Sequence, residues 1–171
     1  MKVMGIDPGT VRVGFGFVEE HSTMTTFRAG RYGAISIPSK ETLPNRLKII
    51  HESLLAILEE EKPAVVAVEE AFYGKSVKSA MRIGEGRAVA ILAAARAQIP
   101  VFEYSPAVVK KAVTGRGGAH KVQVQEMVRI ILNLPERPDP SDAADALAIA
   151  ICHLHRKDSA DHNPGSFLPE P

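Results

Sequence analysis

Ala64 to Val68 reads AVVAV, an unbroken apolar run that leads straight into Glu69 and Glu70. A strand with one wet face alternates apolar and polar residues. A continuous valine-rich run is instead the pattern of a strand buried on both faces. Such a strand needs paired neighbours beside it and helices above and below, so the chain is expected to be an α/β protein.

The remaining segments supply those parts. Lys2 to Asp7 is a second short apolar run, stopped by Pro8-Gly9. Val11 to Val18 and Thr23 to Ile37 are β-rich, and Glu19-Glu20-His21-Ser22 is predicted to turn between them, giving an antiparallel meander with the first strand. From Leu43 the apolar period becomes helical through Leu47, Ile50, Leu54, Ile57 and Leu58, until Lys62-Pro63 stops it. An Ala-rich helix is predicted from about Ser76 to Gln98, then a strand over Val101 to Tyr104. Ser105-Pro106 has the N-cap and N1 residues of the next helix. Val124, Met127, Val128 and Ile131 share one face of another, and a last helix spans Asp142 to about His155. His153 and His155 are two apart, diverge on that helix, and are expected at the surface. The expected architecture is a five-stranded mixed sheet flanked by helices, forming a single domain over residues 1–157. Residues 158–171, polar with Pro and Gly, are expected to be a disordered tail.

The 171-residue length fits one such domain. The longest apolar run, Ala88 to Ala95, has eight residues, whereas a membrane span needs about 20. Lys2 is followed only by Val3 and Met4 before Gly5, unlike a signal peptide. Cys152 is the single cysteine, which excludes an internal disulfide framework and a cysteine zinc site. The expectation is a soluble, reduced, cytoplasmic protein with no membrane partner.

Net charge is +1, but it is unevenly placed. Gly74 to Arg129 holds ten basic residues against three acidic ones, which makes that segment +7 and the rest −6. A cationic surface for a polyanion beside a separate acidic cluster is one reading; a solvated helix face with acidic loops is the other.

Four carboxylates make the acidic side specific. Asp7 ends the first strand and Glu69 stands just after the AVVAV run, both at strand ends where sites gather in α/β sheets. Asp142 and Asp145 are three apart near the start of the last helix, so both project from one face. Each has a plainer explanation: a turn at Asp7-Pro8-Gly9, a solvated strand end at Glu69, and a helix dipole at Asp142 and Asp145. Together at the edge of a buried sheet they would repel one another unless cations lay between them. Oxygen ligands without cysteine select hard ions, Mg²⁺ or Mn²⁺, and two such ions about 3.5–4 Å apart can activate a water and stabilise a leaving oxygen of a phosphodiester. That chemistry leaves both kinases and nucleases open.

Several ordered motifs resemble the RuvC-type Holliday-junction resolvases. They are Gly5-Ile-Asp-Pro-Gly9, Val68-Glu-Glu-Ala-Phe72, Tyr104 through Val109-Lys110, Gly115-x-Gly117, Lys121-x-Gln-Val-Gln125 and Asp142-Ala-Ala-Asp145-Ala-Leu-Ala-Ile-Ala150. Together they cover about Lys2 to His155. The resemblance implies a ribonuclease-H-like fold and a homodimer that nicks opposed strands of a four-way DNA junction. It also implies two Mg²⁺ ions per active site on Asp7, Glu69, Asp142 and Asp145, with Mn²⁺ as a substitute. Lys110 and Lys121 would stand near the scissile phosphate, and Phe72 would stack on a junction base. Lys75, Lys78, Arg82, Lys111 and Arg116 of the basic segment are further DNA-binding candidates. The implied partners are the branch-migration proteins RuvA and RuvB, and the implied location is the nucleoid. The chain departs from the family pattern at Glu70, Ser76, Gly86 and Ala88. An RNA-processing nuclease of the same fold is a competing expectation. An actin-like ATPase or sugar kinase, suggested by GIDPGT, would need a duplicated domain that 171 residues cannot supply. A non-catalytic junction-binding module would set bare acids against DNA phosphates.

Overall fold

Strand β1 (Lys2–Asp7) lies at the centre of a five-stranded sheet. The computed structural model describes residues 1–21, 26–70 and 77–157, with the side chains of residues 21, 78 and 79 left aside. β2 (Arg12–His21) pairs antiparallel with β1, and β3 (Thr26–Ser36) continues the meander at the sheet edge. On its other side β1 pairs parallel with β4 (Val65–Glu69), which pairs parallel with β5 (Val101–Tyr104). The five-stranded mixed sheet expected from the sequence is therefore present.

Helices cover both faces. α1 (Leu43–Glu61) and α2 (Val77–Arg96) pack on one face, closing a core of Met4, Ile6, Phe15, Phe17, Ile50, Leu54, Val66 and Val68. α3 (Pro106–Thr114), α4 (Lys121–Ile131) and α5 (Ser141–Arg156) close the other around Val3, Val18, Ala67, Val109, Val128 and Leu147. Val65 to Val68 are buried on both faces, as their unbroken apolar run requires. The local stops also follow the sequence. Lys62 takes a left-handed conformation (φ 45°) and donates its N–H to Leu58 O, and Pro63 prevents continuation. Gln123 Oε1 accepts the backbone N–H of His120 at 2.9 Å, securing the first turn of α4. Ser105 precedes α3 with Pro106 in its first turn, but its hydroxyl makes no cap bond.

Glycines decide how closely α5 approaches the sheet. A Cβ on Gly5 would stand 1.9 Å from the Ala146 carbonyl oxygen, and one on Gly14 would stand 2.1 Å from that of Asp142. With hydrogen at both positions, the backbone of α5 rests directly on β1 and β2. The acid-bearing first turns of the helix thereby lie over the end of β1.

Two sequence expectations are corrected. Glu19 to His21 belong to β2, not to the turn: Glu19 pairs with Arg28, Glu20 with Phe27 and His21 with Thr26. Ladder hydrogen bonds come from the backbone, so polar side chains do not end a strand. His153 is buried at 1% exposure, and its Nδ1 lies 2.9 Å from the Tyr104 hydroxyl. Position 153 continues the buried face of α5, and the Tyr104 partner makes an imidazole acceptable there. His155 is exposed as expected. Among the described residues no helix is long and apolar enough to cross a membrane.

Candidate active site

Parallel pairing brings the first two acids together. Ile6 is in register with Val68, so the next residues along, Asp7 and Glu69, emerge side by side at the carboxyl ends of β1 and β4. α5 adds Asp145 from above. These three carboxylates, with Lys110 of α3 and Lys121 of α4, line one cavity of about 280 Å³ whose apolar wall includes Val109 and Val124. Asp142 does not line it. Its Oδ2 lies 3.4 Å from Nη1 of Arg12, a residue the sequence reading passed over. The sole signal for Arg12 was its place at the start of the strand facing Asp7.

The electrostatics are those of crowded anions in a poorly hydrated place. Burial, then repulsion by Asp145, Glu69 and Asp142, pushes Asp7 up to about 8, with Lys121 opposing. Burial and Asp145 push Glu69 up to about 7 against the pull of Lys110 and Lys121. Lys121 donates to Asp145 Oδ2 at 2.6 Å. Burial alone would lower its pKa, but this bond and the surrounding acids outweigh it and raise it. The donor set is carboxylate oxygen throughout, which suits a hard divalent cation, and a cation here would offset the desolvation and repulsion. Among the described residues, no group of three acids or histidines converges closely enough to hold an ion in this arrangement.

Raised carboxyl pKa values have a definite consequence for stability. Between about pH 4 and pH 8 the folded protein binds more protons than the unfolded chain, so these groups lower stability as pH rises through that window. In a chelator, Asp7→Asn is expected to melt above the parent at pH 8, by about 2–4 kcal/mol, and to match it near pH 4. Thermal melts across that range check this; an Asn variant no more stable at pH 8 would contradict the burial of charge.

The basic candidates divide. Lys110 and Lys121 face the acids. Lys111 is exposed on α3, and Arg116 lines a separate cavity of about 460 Å³ beside Thr114, Val122 and Met127. Arg82 pairs with Glu85 at 3.2 Å on α2. Phe72 and Lys75 lie outside the described residues, and so does the side chain of Lys78. Of the departures from the family pattern, Glu70 is exposed and donates its N–H to Tyr104 O. Gly86 is buried where a Cβ would stand 2.6 Å from the Gly9 carbonyl oxygen, so its lack of a side chain lets α2 pack on the Asp7-Pro8-Gly9 turn. Ala88 is exposed. Ser76 lies outside the described residues.

Comparisons with known proteins give the family. The family model described as crossover junction endodeoxyribonuclease RuvC matches residues 3–153. The protein of that name from Chloroflexus aggregans is 50% identical over 155 residues, covering 91% of this chain and 93% of the relative. Its counterpart from Dehalococcoides mccartyi is 48% identical over 153 residues, 90% of each chain. Thermus thermophilus RuvC in complex with Holliday junction substrate superposes with a TM-score of 0.88 at 36% identity, over 96% of this chain and 99% of that one. The chain belongs to the RuvC family of crossover junction endodeoxyribonucleases.

Proposed function

We propose that this chain is a structure-selective endonuclease that resolves four-way DNA junctions by metal-dependent phosphodiester hydrolysis, in recombination and repair. The reading is carried by three acids and two lysines around one cavity at adjoining strand ends, in a chain matching the family over residues 3–153. Asp7, Glu69, Asp142 and Asp145 are assigned to hold two Mg²⁺ ions per site, with Mn²⁺ able to replace them. When bound, such ions supply an activated water and charge stabilisation at the leaving oxygen. The protein's own part is positional. The glycine-packed α5 sets Asp145 over Asp7, and Lys110 and Lys121 offer cations to the scissile phosphate. Lys75, Lys78, Arg82, Lys111 and Arg116 would track the flanking phosphates, a sequence-independent contribution weakened by salt.

The same reading makes the working unit a homodimer that cuts opposed strands, with RuvA and RuvB as partners, in the cytoplasm at the nucleoid. It makes residues 1–157 a single nuclease domain followed by a C-terminal tail, residues 158–171, which lie outside the described residues. Labelled four-way and linear duplex DNA, each with and without Mg²⁺, test the central claim. Paired nicks only in the junction and only with metal are expected; equal cutting of linear DNA would overturn junction selectivity, and preferential cutting of RNA would overturn the substrate.

The lysines are separable from ordinary surface cations. Lys110→Ala and Lys121→Ala are expected to lower the single-turnover rate by about 100- to 1,000-fold, as when a group stabilising transition-state charge is lost. Arg96→Ala is the control, because Arg96 lies beside Pro63 and Ile99, near the amino ends of β4 and β5 and so at the opposite end of the strands from the acids. Unchanged rates in both lysine variants would remove them from the chemistry.

Phe72 is assigned to junction structure. Loss of base stacking in Phe72→Ala is expected to weaken junction engagement by about 1–3 kcal/mol, and Phe72→Trp should restore much of it. Melting should not change. A core phenylalanine would instead cost about 3–5 kcal/mol of stability on truncation, so a large melting loss with normal cleavage per folded molecule would end the stacking role.

A further inference from the structure

One basic side chain beside Asp142, that of Arg12, lies outside the cationic segment from Gly74 to Arg129. Arg12 opens β2, two residues before Gly14, which pairs with Asp7 and lies beneath the Asp142 carbonyl. Its Nη1 stands 3.4 Å from Asp142 Oδ2; the two side chains are 51% and 26% exposed. Of the four acids, Asp142 alone does not line the cavity. Lys121 on α4 holds Asp145 in the same fashion at 2.6 Å, but from within the cavity wall. Two acids are thus tied to cations on different elements.

We propose that Arg12 is a positioning residue for Asp142, holding its carboxylate on the β2 side of the site, and that this ion pair opens before Asp142 serves a divalent cation. The proposal rests on the metal-dependent reading above and adds a control on it. A guanidinium and a divalent cation compete for the same carboxylate oxygens. An exposed contact at 3.4 Å is long for a charge-assisted hydrogen bond. Pairs of this kind are weak. Arg12 therefore tunes metal affinity without preventing binding, unlike a short bidentate pair in a dry interior.

The test is Mn²⁺ binding to the full chain without DNA, measured by calorimetry and by the metal-induced rise in melting temperature. Arg12→Ala is expected to bind Mn²⁺ about two- to fivefold tighter than the parent, the range set by exposed ion pairs. Arg12→Lys should stay near the parent, since charge is retained. In an Asp142→Asn background, Arg12→Ala should add nothing, because the cycle removes the pair. Equal or weaker affinity in Arg12→Ala overturns the proposal, as does the same gain in the Asn background, which would mark a general charge effect. A parent that binds no Mn²⁺ overturns the metal reading itself, and this inference with it. A parent that binds normally beside an unaltered Arg12→Ala ends only the role of Arg12.

Discussion

Asp7→Asn, Glu69→Gln, Asp142→Asn and Asp145→Asn are each expected to cut four-way DNA about a thousandfold more slowly, or not detectably, while still binding it. A carboxamide keeps the shape of the acid but is a poor ligand for a hard cation. Metal stabilisation of developing charge is worth several kcal/mol, and every 1.36 kcal/mol is a factor of ten. Binding should survive because it comes from cations on the DNA-facing surface, and removing an anion only reduces repulsion of phosphate. Single-turnover cleavage beside gel-shift binding separates the two. Retained cleavage in any two variants would sink the four-acid assignment. Asp142→Asn is the most informative of the set, since Asp142 pairs with Arg12 outside the cavity that the other three acids line.

That difference marks where sequence reasoning runs out. Strand ends at Asp7 and Glu69 were legible because AVVAV has to be buried on both faces and Pro8-Gly9 stops the first strand. Parallel pairing then brings the two acids side by side with no further information. The i, i+3 spacing of Asp142 and Asp145 placed both on one helix face, but spacing does not say which cation each will meet. Asp145 meets Lys121, and Asp142 meets Arg12, whose partner lies 130 residues away in sequence. A lone arginine at a strand start carries no periodic signal. His153 failed for a related reason: polarity suggested the surface, whereas the Tyr104 hydroxyl that makes its burial acceptable sits on β5. The misplaced turn at Glu19 to His21 arose from reading side-chain polarity where backbone pairing decides.

Gly5→Ala is expected to be among the most damaging single methyl additions in the chain. The new carbon would stand 1.9 Å from the Ala146 carbonyl oxygen and 2.9 Å from the Ala150 nitrogen, both backbone atoms of α5. No rotamer change relieves such a clash, so helix and sheet must part. Overpacking a core usually costs about 1–3 kcal/mol. Backbone-on-backbone contact puts this case at the upper end or beyond, a melting loss of roughly 6–12 °C for a domain of this size. Because α5 bears Asp142 and Asp145, the shift also moves two acids relative to Asp7, and cleavage per folded molecule should fall as well. Gly84→Ala is the matched control. It lies in α2 with nothing within 4 Å of its would-be Cβ, so alanine there should raise stability by about 0.5–1 kcal/mol through helix propensity. Calorimetric melting of the two variants beside the parent decides the matter. A Gly5→Ala protein that melts with the parent and cuts at its rate would mean that the seating of α5 on β1 does not set the geometry of the acids.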